Sequence, residues 1–253
     1  MRPRKRFLAV AHLKGGSGAT TAAVNLAAEL AARRVRVLLI DCDPVAASTF
    51  HLLAEQPGRT LADVLDGRAS LPGVILETPQ ARLAIIPSGP ELAAWDRRPE
   101  RFPEALARAL GEIPPDFALV LLDLPPSAGA IVRGALSVLP GGAILAPVQA
   151  RALDLVGFND LVVLVQELRE VNPELHLAGV IPTRTNKSAL CRDVIDALRH
   201  EQRGLVLPGI RDSGAVARAP LRRLPLRLAY PHAGAGDDFR ALARAVVTKV
   251  LRY

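Results

Sequence analysis

Residues 13–21 read Leu13-Lys14-Gly15-Gly16-Ser17-Gly18-Ala19-Thr20-Thr21 and place three glycines within four residues. The apolar run Phe7 to His12 precedes them as a short buried strand, and Thr20 to Leu30 follows with the apolar spacing of a helix. The glycines therefore occupy a strand-to-helix turn, where successive backbone N–H groups can converge on an anion. The first turn of the helix adds unpaired donors and the positive end of its dipole, so a phosphate fits there. Thr20 is placed to give its hydroxyl to a magnesium ion. Against the general phosphate-loop pattern G-x-x-x-x-G-K-[ST], Leu13 replaces the first glycine and Ala19 replaces the lysine.

Further strands are expected near 35–40, 82–87, 118–123, 142–148, 177–182 and 205–210, alternating with mostly helical stretches. That alternation predicts an α/β fold, a doubly wound and mostly parallel sheet with helices on both faces. The runs are continuously apolar, as strands covered on two sides should be. Ligands of such sheets gather at the carboxyl ends of the strands. The glycine loop, Asp41, Asp43 and Asp123 all follow strand ends, so they are expected to meet. No linker or repeat divides the 253 residues, of which 50% are hydrophobic, and one domain over 1–253 is expected, with a short basic arm at 1–6. No apolar run approaches the ~20 residues of a membrane span, and no signal-like stretch follows the basic start. A cytoplasmic protein is the expectation. Cys42 and Cys191 lack metal or redox spacing and read as bystander thiols.

The loop resembles the deviant Walker A sequence K-G-G-x-G-K-T-T of the ParA/MinD family of dimerising ATPases. Val35 to Pro44 (VRVLLIDCDP) is similar to the family's second strand and D-x-D-P segment, with Val45 where glutamine is usual. Phe117 to Gly129 (FALVLLDLPPSAG) resembles the Walker B strand and switch, Gly142 to Asp154 the strand ending in P-V-Q, and Ala219-Pro220 a late A-P dipeptide. The resemblance implies ATP or ADP with magnesium on Lys14, Gly15, Gly16, Ser17, Gly18, Ala19, Thr20 and Thr21. Thr20 and Asp123 would hold the metal, the latter through water, and Asp43 would orient the attacking water. Lys14 would be the signature lysine that reaches the partner's nucleotide across a homodimer. A ParB-like centromere-binding partner and a nucleoid-associated location are implied as well.

Thirty-two Lys+Arg against 25 Asp+Glu give a net charge of +7, which suggests a polyanion partner. Arg2, Arg4, Lys5 and Arg6 cluster at the start; Arg211, Arg218, Arg222, Arg223 and Arg227 crowd the last third. Arginines on one face would bind double-stranded DNA through its phosphates, without reading sequence. A solvated cationic surface, or an arginine bias set by genome composition, explains the same counts. The family's usual DNA-binding arginine near the end is replaced by Gly234. The amphipathic stretch Phe239 to Tyr253 either packs a last helix onto the sheet or, as in MinD-type relatives, holds membrane; packing is the expected role.

A lysine bonded to the terminal phosphates contributes roughly 1.5–3 kcal/mol. Its loss should weaken nucleotide binding about ten- to a hundredfold and impair hydrolysis more, since electrostatics carries most of phosphoryl transfer. Three readings follow: a ParA-like partition protein with weak or absent hydrolysis, a non-catalytic scaffold without nucleotide control, and a MinD-like positioning protein on the membrane.

Overall fold

A computed structural model describes residues 5–251. In chain order the elements are β1 (Arg6–Val10), α1 (Ala19–Ala32), β2 (Val37–Asp41), α2 (Ala47–Leu52), α3 (Leu61–Leu65), β3 (Leu76–Glu77) and β4 (Leu83–Ile86). Then come α4 (Phe102–Gly111), β5 (Leu119–Asp123), α5 (Ala130–Ser137), β6 (Ala143–Gln149), α6 (Ala152–Leu168) and β7 (His176–Thr183). The last helices are α7 (Ala189–Glu201), α8 (Gly214–Arg218), α9 (Leu226–Ala229) and α10 (Ala235–Ala245). The strands form one seven-stranded sheet in the order β3-β4-β2-β5-β1-β6-β7. Only β3 runs antiparallel, against β4.

The strand residues explain why both faces are covered. Every residue of β2 and β5 is buried. Their side chains alternate: Leu38, Ile40, Val120 and Leu122 enter one core, and Val37, Leu39, Leu119 and Leu121 enter the other. The second core is built on α1, whose alanine-rich sequence favours helix and whose residues Ala22 to Ala31 are all buried. Such an all-round buried helix needs a further layer, which α9 and α10 supply. Phe239, Leu242, Ala243 and Val246 are buried there, so the amphipathic stripe packs the last helix onto the domain. Arg252 and Tyr253 lie outside the described residues, within which no helix is long and apolar enough to cross a membrane.

Register levels the functional ends. Asp123 of β5 pairs with Asp41 of β2 on one side and with Val10 of β1 on the other. Three parallel strands thus finish side by side, with Asp123 on the middle one and the glycine loop leaving from β1 beside it.

Two strand expectations need correction. Segment 205–210 is not a strand: it touches β7 through an isolated bridge at Val206 and separate bonds from Leu207 N–H to Val180 O (2.8 Å) and Ile210 N–H to Pro182 O (2.8 Å). Pro182 and Pro208 have no N–H, which breaks the ladder on both sides. Conversely β3, two residues long, was not expected. The basic arm is also shorter than its sequence suggests, because Lys5 donates to Ile113 O (2.6 Å) and Arg6 opens β1. Arg2 and Arg4 lie outside the described residues. Both cysteines are buried.

Candidate functional site

The loop after β1 is shaped by two glycines. Gly16 and Gly18 both have φ of 86°, in the left-handed region that side chains disfavour. Gly16 O accepts from Gln149 Nε2 (2.6 Å), and Ser17 O accepts from Thr183 Oγ1 (2.6 Å). Because a trans peptide points its N–H opposite its C=O, these bonds turn the N–H groups of Ser17 and Gly18 the other way. The first bond of α1 runs from Ala22 N–H to Gly18 O, so the N–H groups of Ala19, Thr20 and Thr21 have no partner within the helix. No side chain caps this N-terminus, and its first turn carries no acidic residue. A half-buried helix start left this way suits an anion.

Opposite it lies a charge cluster built from two strand ends. Asp41 is fully buried, and its Oδ2 accepts from Thr49 N–H (2.8 Å) and Thr49 Oγ1 (2.7 Å). Burial pushes its carboxyl up to about 6 despite those bonds. Asp123, also fully buried, is pushed up to about 8 by burial and by the charge of Asp41, with the hydroxyls of Ser48 and Thr20 pulling the other way. Ser48 Oγ donates to its Oδ2 (2.6 Å), while Oδ1 has no hydrogen-bond partner. Asp43 turns its Oδ1 to Val45 N–H (2.9 Å) and gives its own N–H to Asp41 (3.1 Å). Val45 itself is 79% exposed, an apolar side chain at the tip of this segment.

A buried carboxylate oxygen without a partner, close to the Thr20 hydroxyl, fits a divalent cation. Among the described residues no three His, Cys, Asp or Glu side chains form a metal cage. The fitting ion is one that takes few protein ligands and draws the rest from phosphate and water, which is the habit of magnesium.

Lys14 stands at the other flank, its Nζ 2.9 Å from Asp154 Oδ1 of α6. Nδ1 of the buried His12 lies 3.0 Å from Lys14 N and 3.2 Å from Lys14 O, while its Nε2 has no partner; burial lowers the His12 pKa. Gly157 permits this packing, since a Cβ there would lie 2.9 Å from both His12 Cε1 and Lys14 Cβ. A cavity of 340 Å³ opens beside the loop, lined by Gly18, Thr21, Thr183, Arg184, Asp212 and Ser213 among others. A larger cavity of 660 Å³ borders Val45, Phe50 and Glu91 beyond Asp43 and touches neither the glycine loop nor Asp123.

The fold thus brings together residues 14–21, Asp43 and Asp123, as their strand-end positions predict. Gln149 and Asp154 belong to the segment Gly142 to Asp154 that holds P-V-Q, while Gly157, Ser48, Thr49 and Thr183 complete the site without having been singled out. Only the fold brings them to the loop, and no local spacing marks them. The late arginines also make contacts within the domain. Arg211 makes a two-point pair with Asp238 (2.7 Å for each bond). Arg222 donates to Ala229 O (2.8 Å) and lies 4.3 Å over the Tyr230 ring, which Arg218 also approaches. Arg223 donates to Phe50 O (2.6 Å) and stacks 3.4 Å over that ring. Arg227 joins Glu29 of α1 (3.3 Å) and Gln80 (2.8 Å). Their clustering therefore has a structural cause: four of them fasten the segment after β7 or its helices, and Arg218 is the one without an ion pair or hydrogen bond among the described residues.

A parallel sheet with an uncapped glycine turn at its first helix, faced by aspartates on the neighbouring strand ends, defines a P-loop nucleotide-binding protein. A family model described as an AAA domain matches residues 5–177. The chromosome-partitioning ATPase Soj of Thermus thermophilus is 31% identical, over 99% of this chain and 98% of the relative. The chromosome partitioning protein ParA of Caulobacter vibrioides is 30% identical, over 96% of this chain and 94% of its own. Among solved structures, cobyrinic acid a,c-diamide synthase from Mycobacterium smegmatis with bound ADP and magnesium superposes with a TM-score of 0.81 at 26% identity, covering 98% and 97% of the two chains. An ATP complex of Cyanothece McdA reaches 0.84 at 22% identity, covering 99% and 98%. The chain belongs to the ParA/MinD family of P-loop ATPases.

Proposed function

We propose that this chain is a ParA-like partition protein that binds ATP or ADP with magnesium, dimerises with nucleotide between subunits, and binds DNA without reading its sequence. ATP hydrolysis is weak or absent. One observation carries the nucleotide assignment: the uncapped start of α1 faces a buried carboxylate oxygen of Asp123 that has no partner. The N–H groups of residues 17–21 would hold the phosphates, Thr20 and, through water, Asp123 would hold the metal, and the adjoining 340 Å³ cavity would receive the base. Magnesium, when bound, neutralises phosphate charge. Asp43 aligns water at the terminal phosphate. Ala19 leaves that phosphate short of one cation, so charge developing during transfer is poorly offset and turnover is slow.

Lys14 rests on Asp154 in the isolated chain and exchanges that partner for the second subunit's nucleotide on dimerisation. Of the late arginines, Arg218 and Arg222 keep exposed guanidinium groups and supply phosphate contacts to duplex DNA. A ParB-like centromere-binding protein is the expected regulator, in keeping with the partition roles named for Soj and ParA relatives. Nucleoid association follows from the DNA contacts. Ala19 also favours a second reading, a scaffold that binds DNA or protein without nucleotide control. The membrane reading lacks support because the stripe of α10 is buried.

Anisotropy of a labelled duplex, titrated with protein at several salt concentrations, separates the first two. The partition reading predicts at least tenfold tighter binding with ATP and magnesium than without, falling steeply with salt. Binding of equal strength in both conditions would leave only the scaffold.

A further inference from the structure

Ala19 removes a cation from the phosphate loop, and the surroundings of that loop contain few replacements. Lys14 is engaged by Asp154 at 2.9 Å, and Arg211 by Asp238 at 2.7 Å. Arg184 differs from both: it is exposed and forms no ion pair among the described residues. It also lines the 340 Å³ cavity together with Gly18 and Thr21, the residues at the open start of α1.

The backbone holds Arg184 at this place. Its φ of 49° lies in the left-handed region, which is uncommon for a residue other than glycine. Both neighbours are pinned. Thr183 bonds Ser17 O through its hydroxyl (2.6 Å), and its Cγ2 would lie 3.5 Å from a Cβ on Gly18. Thr185 N–H donates to Ile210 O (3.0 Å), and Thr185 O accepts from Asp212 N–H (3.0 Å). A strained residue persists where its surroundings over-determine it, and such residues cluster at ligand clamps. Here the strained backbone holds an arginine at the lining of a cavity beside an anion site whose one loop cation, Lys14, is already paired with Asp154.

We propose that Arg184 supplies to the phosphate chain of the nucleotide the positive charge that the loop lacks at Ala19. The proposal rests on the reading that nucleotide occupies the glycine loop. The fork of an arginine bonds phosphate oxygens in pairs, which an ammonium does not, so the substitution of one cation for another changes geometry as well as position. Such an arginine approaches from the cavity side, along the phosphates nearest the base, and this explains how binding survives while terminal-phosphate transfer stays slow.

Calorimetric titration with Mg-ATP and with magnesium tripolyphosphate tests it, using the unaltered protein, Arg184→Ala, Arg184→Gln and the double variant Arg184→Ala/Ala19→Lys. The expected result is a loss of about ten- to a hundredfold for both ligands in each single variant, with Ala19→Lys restoring most of it. Loss of ATP affinity with tripolyphosphate unchanged would give Arg184 a role at the base and overturn the proposal. So would unchanged ATP affinity in both single variants, or a loss that Ala19→Lys leaves unrepaired. Absence of ATP binding by the unaltered protein would overturn the nucleotide reading itself, and this proposal with it.

Discussion

Ala19 and Asp123 define opposite defects of one site. At Ala19 a phosphate loop keeps its backbone donors and lacks its cation. Ala19→Lys should therefore tighten Mg-ATP binding about tenfold or more and raise turnover, as measured by titration and phosphate release. At Asp123 a carboxyl group is buried beside Asp41 with one oxygen unpaired, which strains the empty site and suits the loaded one. The sign of the pH effect follows. The Asp123 carboxyl titrates near 4 when unfolded and is pushed up to about 8 in the fold. Its contribution to stability is full below about pH 4 and is lost as pH rises through about 8. Asp41, raised to about 6, acts in the same sense over a narrower range. Buried His51, lowered to about 4, acts oppositely and only below its unfolded value near 6.5. Above that value Asp123 dominates, so the ligand-free protein should melt at lower temperature at pH 8.5 than at pH 6.5. Asp123→Asn should raise the ligand-free melting temperature at pH 8.5, flatten that slope and remove the dependence of ATP binding on magnesium.

At the scale of elements, the site depends on how closely α6 and α9 approach the centre. Gly157 lets α6 rest against His12 and Lys14, and Gly157→Ala should cost about 1–3 kcal/mol in denaturant unfolding while separating Lys14 from Asp154. The α9 contact is polar: Asn25 Oδ1 accepts from Leu226 N–H (2.7 Å), and Arg227 meets the buried Glu29. Arg227→Ala strands that carboxylate and should cost about 3 kcal/mol, with DNA affinity changed far less than by Arg218→Ala. An equal loss of DNA binding in both variants would contradict this division of labour. The sequence showed what is local in these elements. Continuous apolar runs such as Val37 to Ile40 and Leu119 to Leu122 announced buried parallel strands, and the glycine spacing announced the turn. The stretch Leu205 to Ile210 looked the same by composition, yet Pro208 and its neighbour Pro182 withhold the N–H groups that a strand needs. The two residues of β3 carry no periodicity at all.

For the whole molecule, the legible part of the site is the part that each strand end carries alone. Gln149 and Thr183 turn the loop by bonds to Gly16 and Ser17, more than 130 and 160 residues away in the chain, and only the sheet order brings them there. The arginine cluster is a related case, since charge counts do not show that Arg211, Arg222, Arg223 and Arg227 also bond within the domain. What the assembled molecule shows is an uncapped helix start with its backbone donors free of helix partners, a buried carboxylate oxygen without a partner, and alanine at position 19. The central claim is that nucleotide still binds. Titrating the purified protein with ATP in a calorimeter, with and without magnesium, at low salt and without DNA, tests it most directly. The account predicts micromolar binding that weakens when magnesium is withheld; no detectable heat in either condition, at protein concentrations well above that range, would contradict it.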